Sequence, residues 1–417
     1  MSVGYACIAL GNCDWGMRGC ILKNASPQRL EELVESNLQT LSRLLDYNAA
    51  RGIKLFRISS DIIPFGSHPE AHYPWWDKHA DHLAKLGDKI RDQDIRVSMH
   101  PGQYTVLNAM DEKIVERAVA DLEYHARFLD QLGLDARHKI ILHVGGIYGD
   151  IEPSMMRFSK HYRDLSSQVK NRLVLENDEK YNIAQVLQLC EELQLPAVFD
   201  VFHHQCNPAP GEVDLYAWLD RSYPRWLAVD GVQKIHYSQQ QPGLRSGAHS
   251  RNIQLQLFLD FYHQLPDRPL DIMLECKDKD ISAIKCQQVV NPRLDIRFLE
   301  EEWARYKYLV MEHSQLHYRS IGKTLGARET LTAVPFYLMV EEALRQTPVQ
   351  GDALNASQHV WGYFKKIATA KEKSGWLEIM KQYESGTIAS KRLKDYLYRL
   401  AQKYDVKYLL QSYYFVL

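Results

Sequence analysis

A chain of 417 residues, 45% hydrophobic and 25% charged, with 51 Lys+Arg against 52 Asp+Glu, has an ordinary globular composition and is too long for one average domain. Its longest strongly apolar stretches, such as Val334 to Val340, fall far short of the roughly 18 to 20 residues a membrane helix requires, which excludes a membrane-spanning reading. Seven cysteines, an odd number without a CxxC pair, exclude a disulfide framework and a zinc ribbon.

The N-terminus MSVGYACIALGN lacks the basic and apolar regions of a secretory signal, so the expected location is cytoplasmic. Charge is uneven along the chain. Residues 318–417 hold 15 Lys+Arg and 9 Asp+Glu, a net of +6, against 36 basic and 43 acidic residues over 1–317. The acidic excess fits clustered carboxylates awaiting metal, or a solvated surface.

In chain order, eight β-rich runs alternate with helical patterns: Val3–Leu10, Ile53–Ser60, Ile95–His100, Lys139–Gly146, Arg172–Asn177, Ala197–Phe202, Val232–Ser238 and Leu270–Lys277. Between them, segments such as 27–50, 78–93, 111–132 and 182–193 carry apolar residues at three- and four-residue spacing. Eight such repeats in about 280 residues predict a (β/α)8 TIM barrel, with a doubly wound open sheet as the alternative. Past Phe298 the strand pattern stops and long helix-like stretches follow, with basic and aromatic residues interleaved. The expected division is a barrel domain over 1–295 and an all-α domain over 296–417.

In such a barrel, function gathers at the C-terminal ends of the strands. His100 ends the third run, His143 lies in the fourth, Glu176 ends the fifth, and Asp200 ends the sixth with His203 three residues on. His236 lies in the seventh run and Glu275 in the eighth; His68 and His249 follow the second and seventh runs. Each alone has a plain structural explanation: a satisfied core histidine at His143, a helix cap at Glu176 or Asp200. Six successive strands with His, Glu or Asp near one end point instead to two or three divalent ions, since carboxylates buried together without cations are costly. Pleat direction does not separate His203 from His204. Lys234, two residues before His236 and on the same face of its strand, is a carboxylated lysine, a phosphate-contacting cation or a strand-end salt-bridge partner.

The ordered motifs RISSDIIPFGSHP (57–69), SMHPGQYTVLN (98–108), ILHVGG (141–146), LENDEK (175–180), FDVFHH (199–204), KIHYS (234–238) and LECKDK (274–279) resemble the ultraviolet damage endonuclease family over roughly residues 1–285. That family is related to the type IV apurinic endonucleases and, more distantly, to sugar isomerases of the same barrel type. The resemblance implies nicking of damaged double-stranded DNA immediately 5′ to pyrimidine dimers and some other lesions, with manganese as the usual ion and zinc or cobalt as substitutes. It implies a metal-binding set of His68, His100, His143, Glu176, Asp200, His203, His236, His249 and Glu275, favouring His203 over His204 and making Glu176 the shared ligand. Glu176, Lys234 and Glu275 are the expected catalytic residues. A metal-acidified water would serve as nucleophile, in keeping with the lack of a GxSxG elbow or a Gly-rich phosphate loop.

Gln103 and Tyr104 are the residues the resemblance assigns to probing the duplex at the lesion; a planar ring and an amide suit a wedge, and a dimer is cheaper to extrude than normal bases. Tyr5 and Asn12 are lesser candidates for lining the DNA groove. The stretch WARYKYLVMEHSQLHYRSIGKTLG resembles a bacterial helical domain of uncharacterised function, whose net charge suggests phosphate contact. His313 and His317, four apart, read as surface or packing residues on one helical face. The competing readings are a metal-dependent sugar isomerase or epimerase, and a non-catalytic DNA-binding adaptor.

Overall fold

All eight apolar runs become strands: β1 (Ser2–Ala6), β2 (Leu55–Ile58), β3 (Arg96–Met99), β4 (Lys139–His143), β5 (Leu173–Glu176), β6 (Ala197–Asp200), β7 (Gln233–Tyr237) and β8 (Leu270–Leu274). They are rich in Val, Ile, Leu and Phe because a parallel strand covered on both faces has no solvent side to mark with polar residues. The computed structural model describes residues 1–11, 15–71, 73–211, 214–291, 294–326 and 332–417.

The strands pair in parallel in chain order, and β8 pairs with β1 to close the barrel. This is the (β/α)8 TIM barrel, and closure rules out the open doubly wound sheet. The apolar runs start within two residues of the strands but overshoot their ends: Ser60 already lies in a short helical turn, and Val201 and Phe202 in a helix.

Helices cover the outside of the barrel. In the helix Pro27–Ala50, Leu30, Leu33, Val34, Leu38, Leu41, Leu44 and Leu45 are all buried, each worth about 1.5–3 kcal/mol relative to exposure. Ser26 caps that helix by accepting from Arg29 N, with Pro27 in the first turn. The helix Ile183–Leu193 starts with a capping box between Asn182 and Gln185. Inside the barrel, Ile141, Val174 and Val198 pack with Trp226.

Compactness divides the chain into two units. One takes in Met1–Ile8, Trp15–Ile253 and Phe258–Gln287; the other is chiefly Gln288–Leu417. The second contains the helices Ile296–His313, Gln315–Gly326, Ala333–Arg345, Gln350–Trp361, Ala370–Glu384 and Ser390–Lys403. Tyr308, Met311, Val360, Phe364, Trp376, Leu397 and Tyr414 lie in its core.

The expected long helices are interrupted. Ser314 is extended (φ −161°, ψ 111°), and its hydroxyl accepts from His317 N, so His313 and His317 lie on separate helices rather than on one helical face. His313 Nδ1 instead meets the Gln346 carbonyl at 2.7 Å. Among the described residues no helix is long and apolar enough to cross a membrane.

Candidate metal centre

Parallel pairing brings the strand-end residues side by side. His143 is the register partner of Glu176, and Asp200 that of His236. Glu176 sits at the middle of the group: its Oε2 is 3.0 Å from His100 Nε2 and 3.7 Å from His143 Nε2, and its Oε1 is 2.6 Å from His236 Nδ1. Two sets of side chains hold donor atoms within 4.8 Å of one another, His100–His143–Glu176 and Glu176–Asp200–His236, and they share Glu176.

The other expected ligands surround this centre. Glu275 Oε1 lies 3.3 Å from His236 Nδ1. The His203 ring stands 5.9 Å from His143 and 5.8 Å from His249, while His249 Nδ1 is 2.8 Å from the Glu275 carbonyl. His204 turns away to pack on Phe199 and Trp218, so the structure brings His203, and not His204, to the cluster. His68 stands further out, beside Phe65, on the wall of a groove of about 1110 Å³ that it shares with His100, Gln103 and Tyr104.

The donors fit a divalent cation. Asp200 Oδ1 does cap the following helix by accepting from His203 N at 2.6 Å, but among the described residues Asp200 Oδ2 and His236 Nε2 are buried without a hydrogen-bond partner. Such atoms are costly unless something binds them. Imidazole nitrogen and carboxylate oxygen suit Mn2+, Zn2+ or Co2+.

The field at the site favours cations. Burial alone would lower the His203 pKa, yet the charges of Asp200, Glu179 and Glu176 push it up to about 11. Burial raises Asp200 to about 6. Burial would also raise Glu176, but the facing His236 and His143, with hydrogen bonds from His100 and His236, hold it well below the usual carboxylate range.

Two of the expected residues are shut away from solvent. Tyr5 is wholly buried, its hydroxyl donating to Asn48 Oδ1 at 2.8 Å and its ring edge-on to Phe56, so it presents no face to a DNA groove. Lys234 is also wholly buried, and its Nζ has no hydrogen-bond partner. A phosphate cannot reach it, and among the described residues it forms no strand-end salt bridge. Burial first, then the charge of Arg96, lowers its pKa well below that of an ordinary lysine, with Asp271 opposing. Asn12 lies outside the described residues.

Several neighbours of the cluster escaped the strand-end search. Arg57, in the middle of β2, forms a partly buried ion pair with Glu275 Oε1. Its signal was a lone cation in the apolar run LFRI. Asp178 and Glu179, in the same LENDEK motif as Glu176, stand 3.7 Å from His143 Nδ1 and 3.3 Å from His203 Nδ1. Carboxylates in that position orient imidazole ligands through the ring nitrogen that faces away from a metal.

The 101–108 loop is held at both ends and exposed at its tip. Tyr104 is 83% exposed and Gln103 is exposed beside it. Thr105 Oγ1 donates to Asp121 Oδ2 at 2.6 Å, and Ser67, next to His68, donates to Asp121 Oδ1 at 2.9 Å. At the far end, Asn108 Nδ2 donates to the Gly146 carbonyl and Asn108 Oδ1 accepts from Gly146 N. The neighbouring Gly145 (φ +117°) leaves room for this clasp, since a Cβ there would stand 2.3 Å from Asn108 Oδ1. Tyr124, three residues after Asp121 on the same helix, donates to the Ser60 carbonyl and supports Gly66 on its ring, where a Cβ would meet Cε2 at 2.4 Å.

Comparison with known proteins agrees with this geometry. Residues 19–295 match the family model described as UV-endonuclease UvdE, and residues 307–417 match a protein family of unknown function, DUF1722. A UV DNA damage endonuclease of Clostridium perfringens (strain 13 / Type A) is 39% identical over 321 residues, covering 76% of this chain and 77% of that protein. One from Bacillus cereus (strain 03BB102) is 32% identical over 266 residues, covering 63% and 83%. The crystal structure of SacUVDE superposes with a TM-score of 0.66 at 36% identity, covering 70% of this chain and 98% of that one. The chain belongs to the UV-endonuclease (UvdE) family.

Proposed function

We propose that this chain nicks damaged double-stranded DNA on the 5′ side of UV photoproducts by hydrolysing a phosphodiester at a cluster of two or three divalent ions, manganese being the ion expected. The observation that carries the reading is Glu176: one buried carboxylate shared by two sets of donors, beside a groove that carries the exposed Gln103–Tyr104 tip. His68, His100, His143, Glu176, Asp200, His203, His236, His249 and Glu275 would hold the ions. When bound, such ions acidify a water and neutralise charge on the attacking and leaving oxygens of the phosphate.

The remaining work belongs to the chain's own residues. Arg57 holds Glu275 through Oε1, the oxygen that lies 3.3 Å from His236 Nδ1. Asp178 and Glu179 set the ring orientation of His143 and His203. Tyr104 and Gln103 fill the space left when a poorly stacked dimer is extruded, so deformability supplies much of the selectivity. Burial lowers the pKa of the Lys234 amine, and addition of carbon dioxide to its free-base form, with loss of a proton, would turn it into an anion within the barrel. The nuclease occupies residues 1–295 and the all-α domain residues 296–417.

Purified protein with Mn2+ nicks UV-irradiated supercoiled plasmid, spares unirradiated plasmid, and stops in EDTA. Equal nicking of both plasmids overturns lesion selectivity. No nicking of either returns the site to a sugar isomerase. Tyr104→Ala lowers the preference for irradiated DNA at unchanged metal content; an unchanged preference removes Tyr104 from lesion reading.

A further inference from the structure

The helical unit carries a surface that the nuclease reading does not use. Tyr363 and Tyr408 stack with ring centroids 5.8 Å apart and planes 15° from parallel, and Tyr363 remains 40% exposed. Tyr308 donates to the Tyr363 hydroxyl at 3.0 Å, and Tyr408 donates to the Ala304 carbonyl at 3.0 Å, so both rings are fixed in place. Lys307 Nζ lies 4.9 Å from the Tyr408 ring centroid and 4.8 Å from that of Tyr308.

More cations flank the rings in the chain. Lys365 and Lys366 follow Tyr363 and Lys407 precedes Tyr408, all three exposed. Among the described residues, neither these three nor Lys307 is held in an ion pair. That contrasts with Lys394 and Lys403 of the same unit, which pair with Glu312 and Glu372 at 2.6 Å.

We propose that this face binds single-stranded DNA, with the Tyr363–Tyr408 stack as a platform for an unpaired base and the four unpaired lysines against the phosphates. A fixed, half-open aromatic stack accepts any base by its π-face, and unpaired ammonium groups release counterions when they meet a polyanion. Duplex DNA keeps its base faces covered, so the rings favour an unpaired strand. The excess of 15 Lys+Arg over 9 Asp+Glu across residues 318–417 is complementary in sign. The choice of DNA over RNA rests on the nuclease reading, because a nick beside a lesion frees a short stretch of unpaired strand.

The test uses the full chain in EDTA with a fluorescently labelled oligo(dT), read by anisotropy. Tyr363→Ala weakens binding by about tenfold or more, and Tyr363→Phe, which keeps the ring, restores it. Lys307→Ala and Lys366→Ala each reduce the slope of log affinity against log salt by about 0.7. Tyr363→Ala nicks irradiated plasmid at the wild-type rate, and because the side chain is half exposed the variant stays folded; Lys366→Ala, on open surface, gives an independent measurement.

Unchanged oligo(dT) affinity in Tyr363→Ala overturns the proposal. So does equal affinity for a duplex of the same length, which marks a plain polyanion site, or tighter binding of oligo(rU), which marks an RNA site. If the wild type fails to nick but oligo(dT) binding still depends on Tyr363, the nuclease reading falls and this surface stands.

Discussion

At the N-terminal end of the barrel, Lys139 at the start of β4 places its ammonium 2.5 Å from Asp230 and also donates to the Asn171 carbonyl. Beside it, Arg96 reaches Asp271 at 2.8 Å and the carbonyls of Asp230 and Arg137, over the ring of Trp226. At the other end, Asp200 and His236 are as well shielded from water, yet each keeps a polar atom without a partner among the described residues. The two ends draw on the same kinds of residue. What separates them is completion: the floor pairs its charges within the chain, and the mouth leaves donor atoms for something the chain does not contain. Lys234, one rung in from His236, is a cation treated like the groups at the mouth.

If the floor is structural, breaking it costs stability and leaves the mouth alone. Asp230→Ala strands the Lys139 ammonium, and removing one partner of a buried pair costs about 3–5 kcal/mol. Urea unfolding shows that loss, while manganese stoichiometry of the folded variant stays at the wild-type value. A parallel drop in metal content would mean that the two ends are not separable. The converse is Glu176→Gln, which removes the shared anion from both donor sets. Losing several kcal/mol of transition-state stabilisation corresponds to two to three orders of magnitude in nicking, at about 1.4 kcal/mol per tenfold. Elemental analysis then reports fewer bound ions. Wild-type nicking with full metal content would remove Glu176 from the centre of the site.

The same contrast explains what the sequence made legible. Strand starts were readable because parallel strands buried on both faces appear as apolar runs. Their ends were not, because the apolar runs continue past the last paired residue, as at His100 beyond Met99 and Asn177 beyond Glu176. The ligand set was visible because it recurs at one position in successive strands. Arg57, in the middle of β2, and Asp121, in the middle of a helix, repeat nothing and were missed. Tyr5 was misplaced because alternation gives the face of a strand without saying whether Asn48 waits there to bury the hydroxyl. In the helical unit, propensity runs straight through Ser314; only its hydroxyl, turned to cap the next helix, breaks the run.

A finer division of the mouth separates direct donors from the residues behind them. Glu179→Gln keeps the shape of the side chain and removes the charge 3.3 Å from His203 Nδ1. Outer partners of this kind are worth about 10–100-fold in metal affinity. Competition with a chelator should show weaker retention of one ion, with nicking restored at saturating Mn2+. Failure to recover at any Mn2+ concentration would make Glu179 a direct participant.

The smallest effect expected is at Asp121, where the contrast between completed and incomplete polar groups is found within one loop. Both carboxylate oxygens of Asp121 are used, one by Ser67 beside His68 and one by Thr105 beside Tyr104. One charged group therefore ties a loop carrying an expected metal ligand to the loop carrying the lesion probe. Asp121→Asn keeps one acceptor and loses the other; an average hydrogen bond of about 1 kcal/mol sets the ratio of affinities for irradiated and intact duplex to fall about fivefold. Metal stoichiometry should hold, because His68 lies on the groove wall, outside the two closest donor sets. The measured pair decides how tightly the loops are joined. A lower ratio with full metal makes Asp121 a positioning residue for Tyr104 alone, whereas joint loss of discrimination and of one ion makes lesion reading and metal binding parts of one coupled device.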